Sequence, residues 1–72
     1  MTLNVIGSNQ TELNIANGVV LFSYNTPVAA RIDGTYYVTE QKYSRTTSKH
    51  INAWVGLAQT TVKPQSFFDN LS

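Results

Sequence analysis

There is no cysteine among the 72 residues. That excludes a disulfide framework, and with it any zinc or iron–sulfur site held by thiolates. Histidine occurs once, and the four carboxylates are spread along the chain. Neither supplies the clustered ligands of a built-in metal site. Charge is scarce as well. Asp, Glu, Lys and Arg make up 12 % of the residues, about half the usual ~25 %. The net charge of +1 is too small to drive general polyanion binding. Any contact with nucleic acid has to come from a local cluster. The longest apolar run, residues 19–22, falls far short of a membrane span. No basic segment followed by an apolar core opens the chain, so no signal peptide is expected. The four glycines stand singly, which leaves no P-loop and no dinucleotide fingerprint.

These absences bound the molecule. Residues 1–72 are expected to form a single domain with a small core and marginal stability. Disulfides and metals are excluded as supports, so homo-oligomerisation is the expected one. Low charge also favours self-association. The lack of cysteine fits a cytoplasmic protein. No cofactor, membrane contact or small-molecule substrate is expected.

The most informative stretch is residues 42–57, KYSRTTSKHINAWVGL. Ile51, Trp54, Val55 and Ala58 fall at i, i+3, i+4 and i+7, the stripe of an amphipathic helix. The main helix is therefore expected at about 46–58. Thr46, Thr47 or Ser48 can supply its N-cap, and Ser44 is a further capping candidate. Gly56 helps to end it.

Two hairpins precede the helix. Asn17-Gly18 separates residues 11–16 from 19–24, and both residues are expected at positive φ in a two-residue turn. That turn pairs Ile15 with Val20, Leu13 with Phe22 and Thr11 with Tyr24, giving one almost wholly apolar face and one solvent face. Asp33-Gly34 makes the second turn. It pairs Ile32 with Thr35, Arg31 with Tyr36, Ala30 with Tyr37, Ala29 with Val38 and Val28 with Thr39. Val28, Ala30, Ile32 and Tyr37 then share one face; Ala29, Arg31, Tyr36 and Val38 share the other. Both faces are fairly apolar, so this hairpin is expected to be covered twice, the second time by a partner subunit. Residues 3–6 read as a first strand ended by the turn Gly7-Ser8-Asn9-Gln10. Residues 60–63 read as an edge strand. Pro64 opens a short C-terminal helix in which Phe67, Phe68 and Leu71 dock. The expected fold is α+β: an antiparallel β-meander of five or six short strands, with the main helix packed on one face and a short C-terminal helix.

Charge singles out the helix entrance. Lys42, Arg45, Lys49 and His50 gather there, although a helix N-terminus favours acidic residues. Each exposed cation costs ~0.3–1 kcal/mol in that place. The cost turns to a gain when an anion binds among free N–H groups, hydroxyls and cations. The bland alternative is a solvated loop that caps the helix and keeps the chain soluble. Tyr24, Tyr36, Tyr37, Tyr43 and Trp54, with Arg31 opposite Tyr36 and Lys42 and Arg45 nearby, would also suit stacking of unpaired bases. Strand tyrosines are otherwise ordinary residues. His50 lacks any spacing that places a nucleophile and an orienting carboxylate, so an enzyme is not expected. The candidate partner-binding residues are Arg31, Lys42, Tyr43, Arg45, Thr47, Lys49 and His50. The expected partner is nucleic acid or an acidic host protein surface. In the alternative, the protein acts structurally or on a host complex through homo-oligomerisation, and the basic loop is incidental.

Ser23-Tyr24-Asn25-Thr26-Pro27-Val28-Ala29, then Tyr36-Tyr37, then the run from Tyr43 through His50-Ile51-Asn52 resemble a pattern in small uncharacterised proteins of bacteriophages and plasmids. There, SY-x-TPVA precedes an aromatic strand and a YS-x-TTS-x-HIN helix entrance, often closed by a segment like Pro64-Gln65. The resemblance spans about residues 23–71. It implies a mobile-element origin, hence a host-cell cytoplasm, and no established activity.

Overall fold

The computed structural model describes residues 2–7 and 9–71. Six strands form one sheet: β1 (Thr2–Gly7), β2 (Gln10–Ile15), β3 (Gly18–Ser23), β4 (Thr26–Ile32), β5 (Thr35–Thr39) and β6 (Thr60–Lys63). Helix α1 (Arg45–Val55) connects β5 to β6, and α2 (Gln65–Asp69) follows. The strands lie in sequence order. The first five pair antiparallel as a meander, but β6 lies parallel to β5. A parallel pair needs a crossover connection, and α1 supplies it. The fold is therefore α+β with a mixed, mostly antiparallel sheet. Among the described residues, no helix is long and apolar enough to cross a membrane.

The second hairpin forms as its residues dictate, except that the expected Val28–Thr39 pair is absent. Ile32 pairs with Thr35, Arg31 with Tyr36, Ala30 with Tyr37 and Ala29 with Val38. Asp33 and Gly34 both take positive φ, 51° and 82°, as a type I′ turn requires. The first hairpin differs. Ile15 pairs with Gly18, Leu13 with Val20 and Thr11 with Phe22, so every partner is displaced by two residues. Ala16 and Asn17 make the turn instead, and neither Asn17 nor Gly18 is among the residues at positive φ. Gly18 is needed elsewhere. A Cβ on it would sit 1.9 Å from the carbonyl oxygen of Arg31, so glycine here permits close approach of β3 to β4. A slip of two preserves each residue's face, and Leu13, Ile15, Val20 and Phe22 still share one cluster. Of the turn between β1 and β2, Ser8 lies outside the described residues, and Asn9 takes a left-handed φ of 61°.

Both faces at the centre of the sheet are covered by this chain itself. On one, Val20, Ala30 and Phe68 are fully buried, with Phe67, Tyr37 and Leu71 around them. On the other, Leu21, Val28 and Ala29 are buried beneath Ile51 and Trp54 of α1. The second cover over the β4–β5 hairpin is thus α2. The β2–β3 hairpin has no solvent face either, because Leu21 and Ser23 are both buried. Val28 departs from its expected face. Leu21 pairs with Ala29 and Phe22 with Pro27, so Val28 is the extra residue of a bulge, and it joins the α1-side cluster.

Gln65 anchors α2. Its Nε2 donates to the Pro27 carbonyl at 2.7 Å, and its Oε1 accepts from the Thr39 hydroxyl at 2.7 Å. The Pro64-Gln65 pair thereby ties the C-terminal helix across β4 and β5.

Candidate functional site

The corner between β3 and β4 meets the N-terminus of α1. Helix α1 begins one residue before its expected start, and its N-cap is Ser44. The Ser44 hydroxyl oxygen accepts from the Thr47 backbone N–H at 3.1 Å. Thr46, Thr47 and Ser48 lie inside the helix. Thr47 faces the sheet and is buried. At the other end Gly56 takes a φ of 61°, and its N–H donates to the Asn52 carbonyl, closing the helix as expected. Ala58 falls outside the helix and is exposed.

A chain of side-chain hydrogen bonds runs inward from the cap. Ser44 Oγ donates to Thr47 Oγ1 at 3.2 Å. Thr47 Oγ1 lies 3.0 Å from Ser23 Oγ, and Ser23 Oγ lies 2.8 Å from Nδ1 of His50. Each hydroxyl has one proton to give. Either oxygen can donate in the Thr47–Ser23 bond, and the direction of the Ser23–His50 bond follows the imidazole tautomer. Ser23 is only 2 % exposed and Thr47 only 5 %. Their hydroxyls are satisfied by this chain, as are all buried side-chain polar atoms among the described residues.

Beside this chain opens a pocket of about 440 Å³. Its wall holds Lys42, Tyr43, Ser44 and Thr47 from the helix side, and Ser23, Tyr24, Thr26 and Val28 from the β3–β4 corner. The lining offers hydroxyls, two phenols and one cation, and no carboxylate. Burial, and secondarily the Asp69 carboxylate, raise the Tyr43 phenol above its ordinary pKa. It stays a proton donor at neutral pH. Tyr24 holds a left-handed φ of 60°, a conformation costing ~1–3 kcal/mol for such a residue and found disproportionately at functional sites. A 2.7 Å bond from its N–H to the Asn9 carbonyl helps to hold it. Its ring lies 6.2 Å from that of His50.

The seven residues singled out from the sequence fall into three groups. Lys42, Tyr43 and Thr47 line the pocket, and His50 joins it through Ser23. Arg45 and Lys49 are exposed one turn apart. Each lies two residues from Thr47, about 200° around the helix, so they occupy its outer side. Arg31 lies elsewhere, in a smaller cleft of about 250 Å³ with Glu12, Val19, Tyr36 and Trp54. There Trp54 Nε1 donates to Glu12 Oε2 at 2.6 Å, and the Tyr36 and Trp54 rings meet edge to face, 5.7 Å apart.

Sequence reasoning missed the contribution of Ser23, Thr26 and Val28. One signal was present: Ser23 shares its face with Leu21, an apolar residue that has to be buried. The partner that Ser23 meets, His50, lies 27 residues away, and no local pattern encodes that distance. No curated protein and no solved structure matches the chain. A family model does match, over residues 1–70: the chain belongs to the family of unknown function DUF8033.

Proposed function

We propose that this protein is a small non-catalytic binding module, of mobile-element origin, that takes an anionic partner at the pocket before α1. The observation that carries the reading is the pocket's chemistry. Lys42 and two tyrosines line a space whose wall has no carboxylate. Ser44 Oγ already takes the Thr47 amide, and the helix dipole adds to the attraction for an anion. Single-stranded nucleic acid fits best, because Tyr24 and Tyr43, each about half exposed, can stack a base while Lys42 holds phosphate. Arg45 and Lys49 then guide a longer strand along the outer side of the helix. Host-cell cytoplasm is the setting in which such a partner would be met.

Catalysis is not part of the proposal. Ser23 and His50 make the first two members of a nucleophilic relay. Among the described residues, however, no hydrogen bond joins His50 to a carboxylate, and the Ser23 hydroxyl is buried and shared with Thr47. The pair serves instead to fix Thr47 at the pocket wall.

Fluorescence anisotropy with labelled single- and double-stranded oligonucleotides at two salt concentrations tests the reading. Affinity for the single strand is expected to fall with salt. Lys42→Ala is expected to lower the slope of log K against log salt by ~0.7, one phosphate contact. Absence of binding at low salt would sink it.

A second reading, self-assembly, is favoured by a separate observation. Leu3 and Val5 of β1 are 64 % and 78 % exposed, on a strand at the edge of the sheet.

A further inference from the structure

We propose that β1 is the seam of a two-fold dimer, in which the β1 strands of two copies pair antiparallel and join two six-stranded sheets into one. The proposal rests on the self-assembly reading and gives it a surface and a register.

The two edges of the sheet are built differently. Strand β6 has four residues, ends in Lys63 and is followed by Pro64. Shortness, lysine and proline are the devices by which natural edges are closed to further pairing. Strand β1 has six residues and none of these devices. Residues 2–7 hold no charged side chain and no proline. Its only irregularity, between Val5 and Gly7, lies at its end and leaves residues 3–5 regular. Strand β1 has one neighbour, β2, so half its backbone donors and acceptors face outward. Only another extended strand complements such a row.

A second copy of this chain is the strand that fits. With Asn4 of one copy opposite Asn4 of the other, antiparallel pairing sets Leu3 against Val5 of the second copy, and Val5 against Leu3. These apolar pairs share one face, where cross-strand contacts stabilise a sheet. That face continues inward to Phe22 and Thr11, with which Leu3 already lines a cleft of about 220 Å³. Being uncharged, β1 sets no like charges opposite each other when it meets itself. It also offers a foreign strand no charged residue by which to be selected. Each copy uses β1 once, and the β6 edge is blocked, so the assembly closes at two.

Light scattering from micromolar to millimolar concentration tests this on the full chain, with two variants of exposed residues. Val5→Lys puts a charge on the proposed seam. Val62→Lys puts one on β6. The wild-type mass is expected to rise from that of one 8.0 kDa chain to twice that value. Val5→Lys should remain at a single mass with a wild-type circular dichroism spectrum, and Val62→Lys should dimerise like wild type. A wild-type mass of one chain at every concentration overturns the dimer and the self-assembly reading together. A dimer that Val5→Lys leaves intact overturns only the β1 seam, and growth beyond two overturns the closed two-fold. If Val5→Lys fails to fold, amide exchange of the wild type decides. Protection of the outward-facing amides among residues 3–5 should increase with concentration, and concentration-independent exchange there overturns the seam.

Discussion

Truncating Phe68 to alanine is expected to leave the protein unfolded, or half unfolded, at room temperature. Phe68 is fully buried and is the largest such side chain among the described residues. It packs with Val20 and Ala30 and meets the Phe67 ring edge to face at 5.1 Å. Phe→Ala in a core typically costs ~3–5 kcal/mol, transfer and cavity terms together. A core this small supplies a net stability of only ~3–5 kcal/mol. The loss is large for a second reason. Helix α2 has five residues, too short to hold its shape without tertiary contacts. Without Phe68 it keeps only Gln65 and the half-buried Phe67 and Leu71 as anchors, and the sheet face over Ala30 opens to water. Thermal melting followed by circular dichroism would read this directly. A Phe68→Ala melting point within a few degrees of wild type would mean that α2 is not the cover of that face.

Gly18→Ala should have an effect of similar size by the opposite route. Its new Cβ would lie 1.9 Å from the Arg31 carbonyl oxygen and 2.9 Å from the Arg31 carbonyl carbon. Both atoms are backbone, so no rotamer change relieves the clash. Relief requires β3 and β4 to part where Gly18 pairs with Ile32. Overpacking usually costs ~1–3 kcal/mol and sometimes more, and a backbone clash belongs at the upper end. For a domain of this size ~3 kcal/mol lowers the melting point by ~12–24 °C. Gly34→Ala makes a useful comparison. Gly34 has open space around it and carries only the strain of its φ of 82°, so its loss should be the smaller one. The opposite order would show that turn conformation, and not strand approach, governs this sheet.

The contrast between these glycines explains what the sequence could disclose. Asp33-Gly34 is a local signal: two adjacent residues at positive φ fix the turn and the register behind it. Asn17-Gly18 carries the same signal, but Gly18 answers to a neighbour on β4, a contact no local pattern contains. Strand faces survived that slip because side chains alternate with period two. The parallel direction of β6 needs the α1 crossover and is not written in its own four residues. The Ser44 cap competed with three adjacent hydroxyls of equal local merit, and packing of Thr47 against Ser23 decided between them.

The candidate site was legible in part for the same reason. Lys42, Tyr43 and Thr47 are close in sequence to the helix entrance and reach the pocket. Arg45 and Lys49 are just as close, yet helical rotation carries them to the outer side. The opposite wall comes from the β3–β4 corner. Its shape depends on the bulge at Val28 and the left-handed Tyr24, neither of which has a residue signature of its own.

The most direct test of the anion site is an NMR titration of the isotope-labelled protein with a short single-stranded oligonucleotide at low salt, read at each backbone amide. The anion-site account predicts saturable shifts at Tyr24, Tyr43, Ser44 and Thr47, weaker ones at Arg45 and Lys49, and none around the Arg31 cleft. It also predicts that Lys42→Ala weakens them all. Shifts confined to the outer side of α1 or to the Arg31 cleft, with the pocket amides unmoved, would contradict it.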